Sequence, residues 1–219
     1  MFSLLFFLSC AEEVPTAQEI QVSNPSSESL QELPKVIVLG DSLSAGMGLP
    51  KEEAFPSVLD QMLKKNTLPT QIINAGVSGD TTSGGLRRLD WILKQRPDVI
   101  ILELGANDGM RGQPLATIES NLKKMIAICK KKNVEVILLG VHIPTNYGTK
   151  YTTDFANIYP RVAQDTQILF VPSLLKDVAG YEKLNQADGI HPTAEGQKIL
   201  AQNVLPVLLE WRKKQQSPH

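Results

Sequence analysis

Three side chains in this sequence have the types that nucleophilic hydrolysis needs. Ser42 stands in Gly40-Asp41-Ser42-Leu43-Ser44, and Asp188 and His191 stand together in Asp188-Gly189-Ile190-His191-Pro192. A hydroxyl is a poor nucleophile at neutral pH; it becomes useful when a neutral imidazole takes its proton. The imidazole needs a partner that fixes its tautomer, and a carboxylate suits that role. Asp188 and His191 share one short loop, so a single long-range contact with Ser42 would complete the set. The sequence also offers donors for the negative charge such chemistry creates. They are the backbone N–H groups of Ser42 and Gly76 and the carboxamide of Asn107.

Each motif taken alone has a plainer reading. Asp41-Ser42 could cap a helix. Gly76 could simply end a strand, and Asn107 in Gly105-Ala106-Asn107-Asp108-Gly109 is ordinary turn chemistry. Gly40 to Ser44 is not the Gly-x-Ser-x-Gly elbow, because Ser44 stands where the second glycine belongs. His142 competes for the base role but has no carboxylate within a few residues, whereas His191 has Asp188. The third histidine, His219, is terminal. Asp41 and Asp108 read as bracing groups of their turns, and Asp80 and Thr81 as braces of the loop after Gly76.

The elements that must position these residues alternate along the chain. Short runs at Val36–Gly40, Gln71–Gly76 (the more polar one), Val99–Gly105, Val134–Gly140 and Ile168–Pro172 read as strands buried on both faces. Between them apolar residues recur at helical spacing. Phe55, Val58, Leu59, Met62 and Leu63 form one stripe, and Ile118, Leu122, Met125, Ile126 and Cys129 another. Asn133 closes the second helix, and Lys130, Lys131 and Lys132 are solvated charges favoured at its end. A last helix is expected from about Ala194 to Trp211. Strand–helix alternation predicts a parallel sheet with helices on both faces. The three glycine-rich motifs each follow a strand, so they should meet at the carboxyl rim of the sheet.

Composition bounds the rest. The chain has 219 residues, enough for one domain with a sizeable core. A net charge of −1 gives no electrostatic case for nucleic acid. The cysteines are Cys10 and Cys129, and no His, Cys and carboxylate cluster has zinc-ligand spacing, so no metal site is expected. A disulfide is not expected either, because Cys10 lies in a targeting-type segment and Cys129 on a core stripe. No Gly-Lys-Ser/Thr phosphate loop follows the first strand, which disfavours a nucleotide-binding module.

The first eight residues are apolar but too few to span a bilayer, which takes about 20. Residues 1–10 read as a signal of lipoprotein type: Ser9-Cys10-Ala11 looks like a bacterial lipoprotein cleavage site, with Cys10 acylated. Residues 11–34 are rich in Pro, Ser and Glu and read as a flexible tether. The domain proper is expected over 35–213. The chain is therefore expected to be exported to the cell envelope, periplasmic or lipid-anchored, with membrane attachment through Cys10.

Four blocks, in order, carry a resemblance: Gly40-Asp41-Ser42-Leu43-Ser44-Ala45-Gly46, Gly76-Val77-Ser78-Gly79-Asp80-Thr81, Gly105-Ala106-Asn107-Asp108-Gly109 and Asp188-Gly189-Ile190-His191-Pro192. Together they resemble the SGNH hydrolases, also called GDSL-type lipases and esterases. The likeness covers about residues 35 to 211 and is nearest to the periplasmic thioesterases, lysophospholipases and arylesterases. The resemblance implies a flavodoxin-like three-layer α/β/α sandwich on a five-stranded parallel sheet, with strand order 2-1-3-4-5. It implies Ser42 as nucleophile, His191 as base and Asp188 as its partner. Oxyanion donors would be the N–H groups of Ser42 and Gly76 and the side chain of Asn107. At the Gly76 position the family tolerates other small residues. The loops over 110–114 and 143–151 would wall the acyl site. The expected substrate is a small acyl ester, thioester or lysolipid, hydrolysed without cofactor. A carbohydrate O-deacetylase would use the same blocks with a different pocket. A catalytically silent envelope-binding lipoprotein would leave every measurable property unchanged on Ser42→Ala.

Overall fold

A computed structural model of the chain describes residues 33–216. The signal-type segment 1–10 with Cys10, the tether as far as residue 32, and His219 lie outside the described residues.

Five strands form one sheet: β1 (Lys35–Gly40), β2 (Gln71–Asn74), β3 (Val99–Glu103), β4 (Glu135–Leu139) and β5 (Leu169–Val171). All pair in parallel, in the order β2-β1-β3-β4-β5. The register sets Val36 opposite both Ile72 and Val99, and Ile100 opposite Val136. Position in the sheet explains strand composition. β3, buried throughout, is the continuous apolar run Val99–Leu102 that ends in Glu103. β2 is an edge strand whose end residues Gln71 and Asn74 are exposed, which accounts for its more polar sequence.

Eight helices connect and flank the strands among the described residues. They are α1 (Ser42–Ala45), α2 (Phe55–Lys65), α3 (Thr82–Leu93), α4 (Ala106–Met110), α5 (Leu115–Lys131), α6 (Thr149–Ala156), α7 (Ile158–Thr166) and α8 (Ala194–Gln216). Successive strand residues point to opposite faces, so each strand feeds two cores. Val36, Val38, Val99, Ile101 and Ile137 meet Phe55, Leu59 and Leu63 of α2 and Leu200, Val204, Leu208 and Trp211 of α8. Ile37, Leu39, Ile100, Leu102 and Leu138 meet Leu89 and Ile92 of α3, Leu122, Met125 and Cys129 of α5, and Ile158 and Val162 of α7. Each fully buried Leu or Ile contributes roughly 1.5–3 kcal/mol. This is the expected α/β/α sandwich.

Two helix ends illustrate the local rules. After α5, Asn133 adopts φ 57°, and the N–H groups of Asn133 and Val134 return to the carbonyls of Lys130 and Cys129. That is a Schellman closure with Asn in the left-handed position. The last helix runs through Pro206 and on to Gln216, past the expected end at Trp211. Proline removes one backbone hydrogen bond. The burial of Val204, Leu208 and Trp211, with the Trp211 indole N–H donating to Glu135 Oε1 at 3.1 Å, outweighs that loss.

The strand order reverses direction at β1, where the chain leaves to β2 on one side and β3 lies on the other. Such a switch point opens a crevice beyond the carboxyl ends of the two strands. The residues that follow β1 and β3 are Asp41-Ser42 and Gly105-Ala106-Asn107.

Candidate active site

Ser42 is the first residue of α1, immediately after the turn that leaves β1. Asp41 caps this short helix, its Oδ1 accepting the Leu43 N–H at 3.0 Å, and Gly46 closes it in the left-handed conformation. The fold brings His191 to it across 149 residues: Ser42 Oγ lies 2.9 Å from His191 Nε2. On the other side of the ring, His191 Nδ1 lies 2.7 Å from Asp188 Oδ2.

The loop that carries acid and base is internally braced. Asp188 Oδ1 accepts the N–H groups of Ile190 and His191, each at 3.0 Å, around Gly189 at φ 75°. The His191 N–H, then the imidazole, then the Ile190 N–H hold the Asp188 carboxyl down at about 2. Charge-assisted bonds of this kind favour the ionised form. The His191 side chain is 12% exposed and that of Asp188 is 42% exposed.

Two glutamines fasten this loop and the last helix to the segment around Ser42. Gln186 Nε2 donates to Met47 O at 2.8 Å and to Pro192 O at 3.0 Å. Gln197, buried in α8, donates to Leu43 O and accepts the Phe55 N–H. Sequence reasoning missed both. A lone glutamine carries no local signal, because its importance lies in partners more than 130 residues away.

The expected oxyanion donors are placed unequally. Ser42 and Asn107 line a cavity of about 770 Å³ together with His191. Asn107 Nδ2 donates one hydrogen to Asp41 Oδ2 at 3.0 Å, which leaves its second hydrogen for another acceptor. The Gly76 N–H is engaged within its own loop, donating to Asn74 Oδ1 at 2.9 Å. The cause is local. Asn74 ends β2 and donates its Nδ2 to Ser44 O at 2.6 Å, which turns its oxygen toward the Gly76 N–H. The glycine itself is also more constrained than the resemblance implied. A Cβ there would lie 2.4 Å from Ala45 N and 2.8 Å from Ser44 C, both backbone atoms, so even alanine would force α1 to shift.

The remaining polar motifs brace loops. Asp80 accepts Arg88 Nε at 2.7 Å, and the same guanidinium reaches Ala75 O and Gly40 O, tying the loops after β1 and β2 together. Asp108 accepts both the N–H and the hydroxyl of Thr82. His142 lines the same cavity, its Nδ1 3.5 Å from Ser173 Oγ, and burial lowers its pKa.

The expected loops do wall the cavity, through Met110, Ile143, Pro144 and Thr145. So do Thr152 and Ala156 of α6 and Leu175 and Ala179 after β5, which the sequence did not mark. One buried acid was also missed. Glu103 ends the apolar run of β3, and its Oε2 accepts the Asp41 N–H and the Ser44 hydroxyl. A charged residue inside a doubly buried strand was the signal that could have found it.

Comparison with known proteins gives the family. Residues 38–199 match the model of the GDSL-like Lipase/Acylhydrolase family. An arylesterase of Vibrio mimicus is 40% identical over 185 residues, which cover 84% of this chain and 92% of that protein. An Escherichia coli protein named thioesterase 1/protease 1/lysophospholipase L1 is 36% identical over 185 residues, 84% of this chain and 83% of its own. The crystal structure of TesA superimposes with a TM-score of 0.77 at 38% identity, covering 80% of this chain and 97% of that one. With the four motif blocks inside one matched span, this chain belongs to the GDSL-like lipase/acylhydrolase family.

Proposed function

We propose that this chain is a serine hydrolase that cleaves acyl esters or thioesters through an acyl-enzyme. The observation that carries the reading is the hydrogen-bonded series Ser42–His191–Asp188 at the wall of an apolar-lined cavity. The names of its relatives, arylesterase and thioesterase/lysophospholipase, support it.

Ser42 Oγ attacks the acyl carbonyl carbon as its proton passes to His191 Nε2. Asp188 keeps the ring oriented through Nδ1 and stabilises the imidazolium. The oxyanion is held by the Ser42 N–H and the second hydrogen of the Asn107 carboxamide, with the Gly76 N–H shared between it and Asn74. His191 returns the proton to the leaving oxygen or sulfur as the bond to the acyl carbon breaks, leaving acyl-Ser42. Water then attacks with its proton taken by His191, and the carboxylic acid departs as Ser42 regains its hydrogen. Every step uses water and groups of this chain.

The cavity size sits within the range of small-molecule sites, and Met110, Ile143, Leu175 and Ile190 give it apolar walls. Each substrate methylene buried there contributes about 0.8 kcal/mol, roughly a fourfold rise in kcat/KM. On p-nitrophenyl esters graded from acetyl to decanoyl, and on an acyl thioester, kcat/KM is expected to rise from acetyl to medium chains. Activity confined to acetyl groups, above all on acetylated polysaccharide, would sink the acyl-chain reading and favour an O-deacetylase.

For the N-terminal segment, the apolar run ahead of Cys10 supports export and acylation at that thiol. No helix among the described residues is long and apolar enough to cross a membrane. Cells fed a labelled fatty acid are expected to label the wild-type protein and not Cys10→Ser. Equal labelling of both would refute attachment at Cys10.

A further inference from the structure

Beneath the nucleophile turn lies a second pair of acids that the reaction does not consume. Glu103 has no exposed surface and Asp41 is 1% exposed. Glu103 Oε2 accepts the Asp41 N–H at 3.1 Å and the Ser44 hydroxyl at 2.7 Å. Asp41 in turn accepts the Leu43 N–H on one oxygen and the Asn107 carboxamide on the other, each at 3.0 Å. Glu103 Oε1 is buried and, with both acids counted only as acceptors, has no partner. Gly40 leaves the room for this arrangement: a Cβ there would lie 2.6 Å from Glu103 Oε2 and 2.0 Å from Ser44 Oγ.

Two carboxylates in one dry place cannot both stay ionised. We propose that Glu103 and Asp41 share one proton, with Glu103 neutral and donating it to the Asp41 carboxylate, and that this pair positions Ser42 and Asn107. Glu103 is a positioning residue in this arrangement, since it acts through Asp41 and touches no substrate. The shared proton accounts for the orphaned oxygen, because a protonated Glu103 is a donor in need of an acceptor. A hydrogen bond from Glu103 is among the influences that lower Asp41.

The surroundings decide which acid keeps the proton. Asp41 faces the Leu43 N–H, the Asn107 amide and His191, all of which favour its anion. Glu103 meets only neutral donors and the Asp41 charge itself. Tyr159 of α7 stands nearby, its hydroxyl donating to Leu104 O, and Asp108 of α4 and Arg88 of α3 complete the ionisable neighbours. Burial, then Asp41, pushes Glu103 well above the ordinary carboxylate range, and burial lifts Asp41 to about 6.

The sign of the pH effect follows. A carboxyl that holds its proton more tightly folded than unfolded stabilises the fold at low pH. That contribution shrinks as pH rises from the ordinary glutamate value toward the raised one. Glutamine at 103 keeps an oxygen for Asp41 N–H and Ser44, supplies an N–H for the Asp41 carboxylate, and does not titrate.

This inference rests on the Ser42 reading, and its test separates the two. kcat, KM and the unfolding midpoint against pH are measured for wild type, Glu103→Gln and Glu103→Leu. Glu103→Gln is expected to keep kcat within about threefold of wild type, whereas Glu103→Leu lowers it roughly 10- to 100-fold with little change in KM. As pH rises above the ordinary glutamate value of 4.5, the wild type should lose stability relative to Glu103→Gln. A Gln variant as impaired as Leu, or parallel stability curves for wild type and Gln, would overturn the shared proton. If the Leu variant does not fold, the Gln comparison decides alone. The stability curves need no catalysis, so they stand or fall independently of whether Ser42→Ala abolishes hydrolysis.

Discussion

Ser42→Ala is expected to lower kcat on a p-nitrophenyl ester by about ten-thousand- to million-fold, with KM nearly unchanged. Removing Oγ removes the only atom that forms the covalent bond, so the two-step route through acyl-Ser42 closes. Residues that act as one unit fail together, which is why a single deletion costs about as much as losing the whole set. Donors and cavity survive the change, so substrate still binds and a residual acceleration over water remains. The fold should tolerate the substitution. Ser42 is half-buried at a helix N-terminus, and the cap itself is made by Asp41. Steady-state kinetics beside a thermal melt make the check. A loss below tenfold with an unchanged melt would mean that another group carries the attack.

Asp188→Asn is expected to lower kcat by about a hundred- to a thousandfold. Asparagine can present an N–H where Asp188 accepts one, which selects the tautomer with its proton on Nε2 and leaves no lone pair for the Ser42 hydroxyl. A fully buried acid in this role is worth about ten-thousandfold. Asp188 is 42% exposed, so water can stand in for part of its effect, and the smaller figure follows. The pH dependence has a definite sign. With the carboxyl held down at about 2, its ionised form contributes stability above the unfolded value of 3.8, lost as pH falls through about 2. Loss of wild-type activity well above that range therefore cannot come from Asp188. Asp188→Asn within fivefold of wild type well above pH 3.8, where the carboxylate is ionised, would show that the ring is held by something else.

The reading of particular elements shows how far local information reaches. Helical spacing marked Leu59, Leu63, Leu122 and Cys129 as core, and all four are buried. Asn133 read as a helix end, and its left-handed backbone makes it one. α8 outran its expected end by about a turn, where Arg212 is buried and Gln215 Nε2 donates to Glu135 Oε1 at 2.6 Å. The Gly76 N–H, an expected site donor, also bonds the Asn74 side chain, a partner set by how β2 sits beside α1. Glu103 stood in view inside the third strand. Its meaning came only from Asp41 and Ser44 closing over it from β1.

Strand order in time, helix faces, turn residues and the short step from Asp188 to His191 are determined by the sequence itself. They depend on period, backbone preference and neighbours a few residues away. The meeting of Ser42 with that loop, the buried acid pair under the turn, and the cavity walls drawn from α6 and the segment after β5 were decided only by tertiary structure. Those contacts join residues tens to more than a hundred positions apart. They exist because two cores closing on one sheet leave each side chain a single place to go.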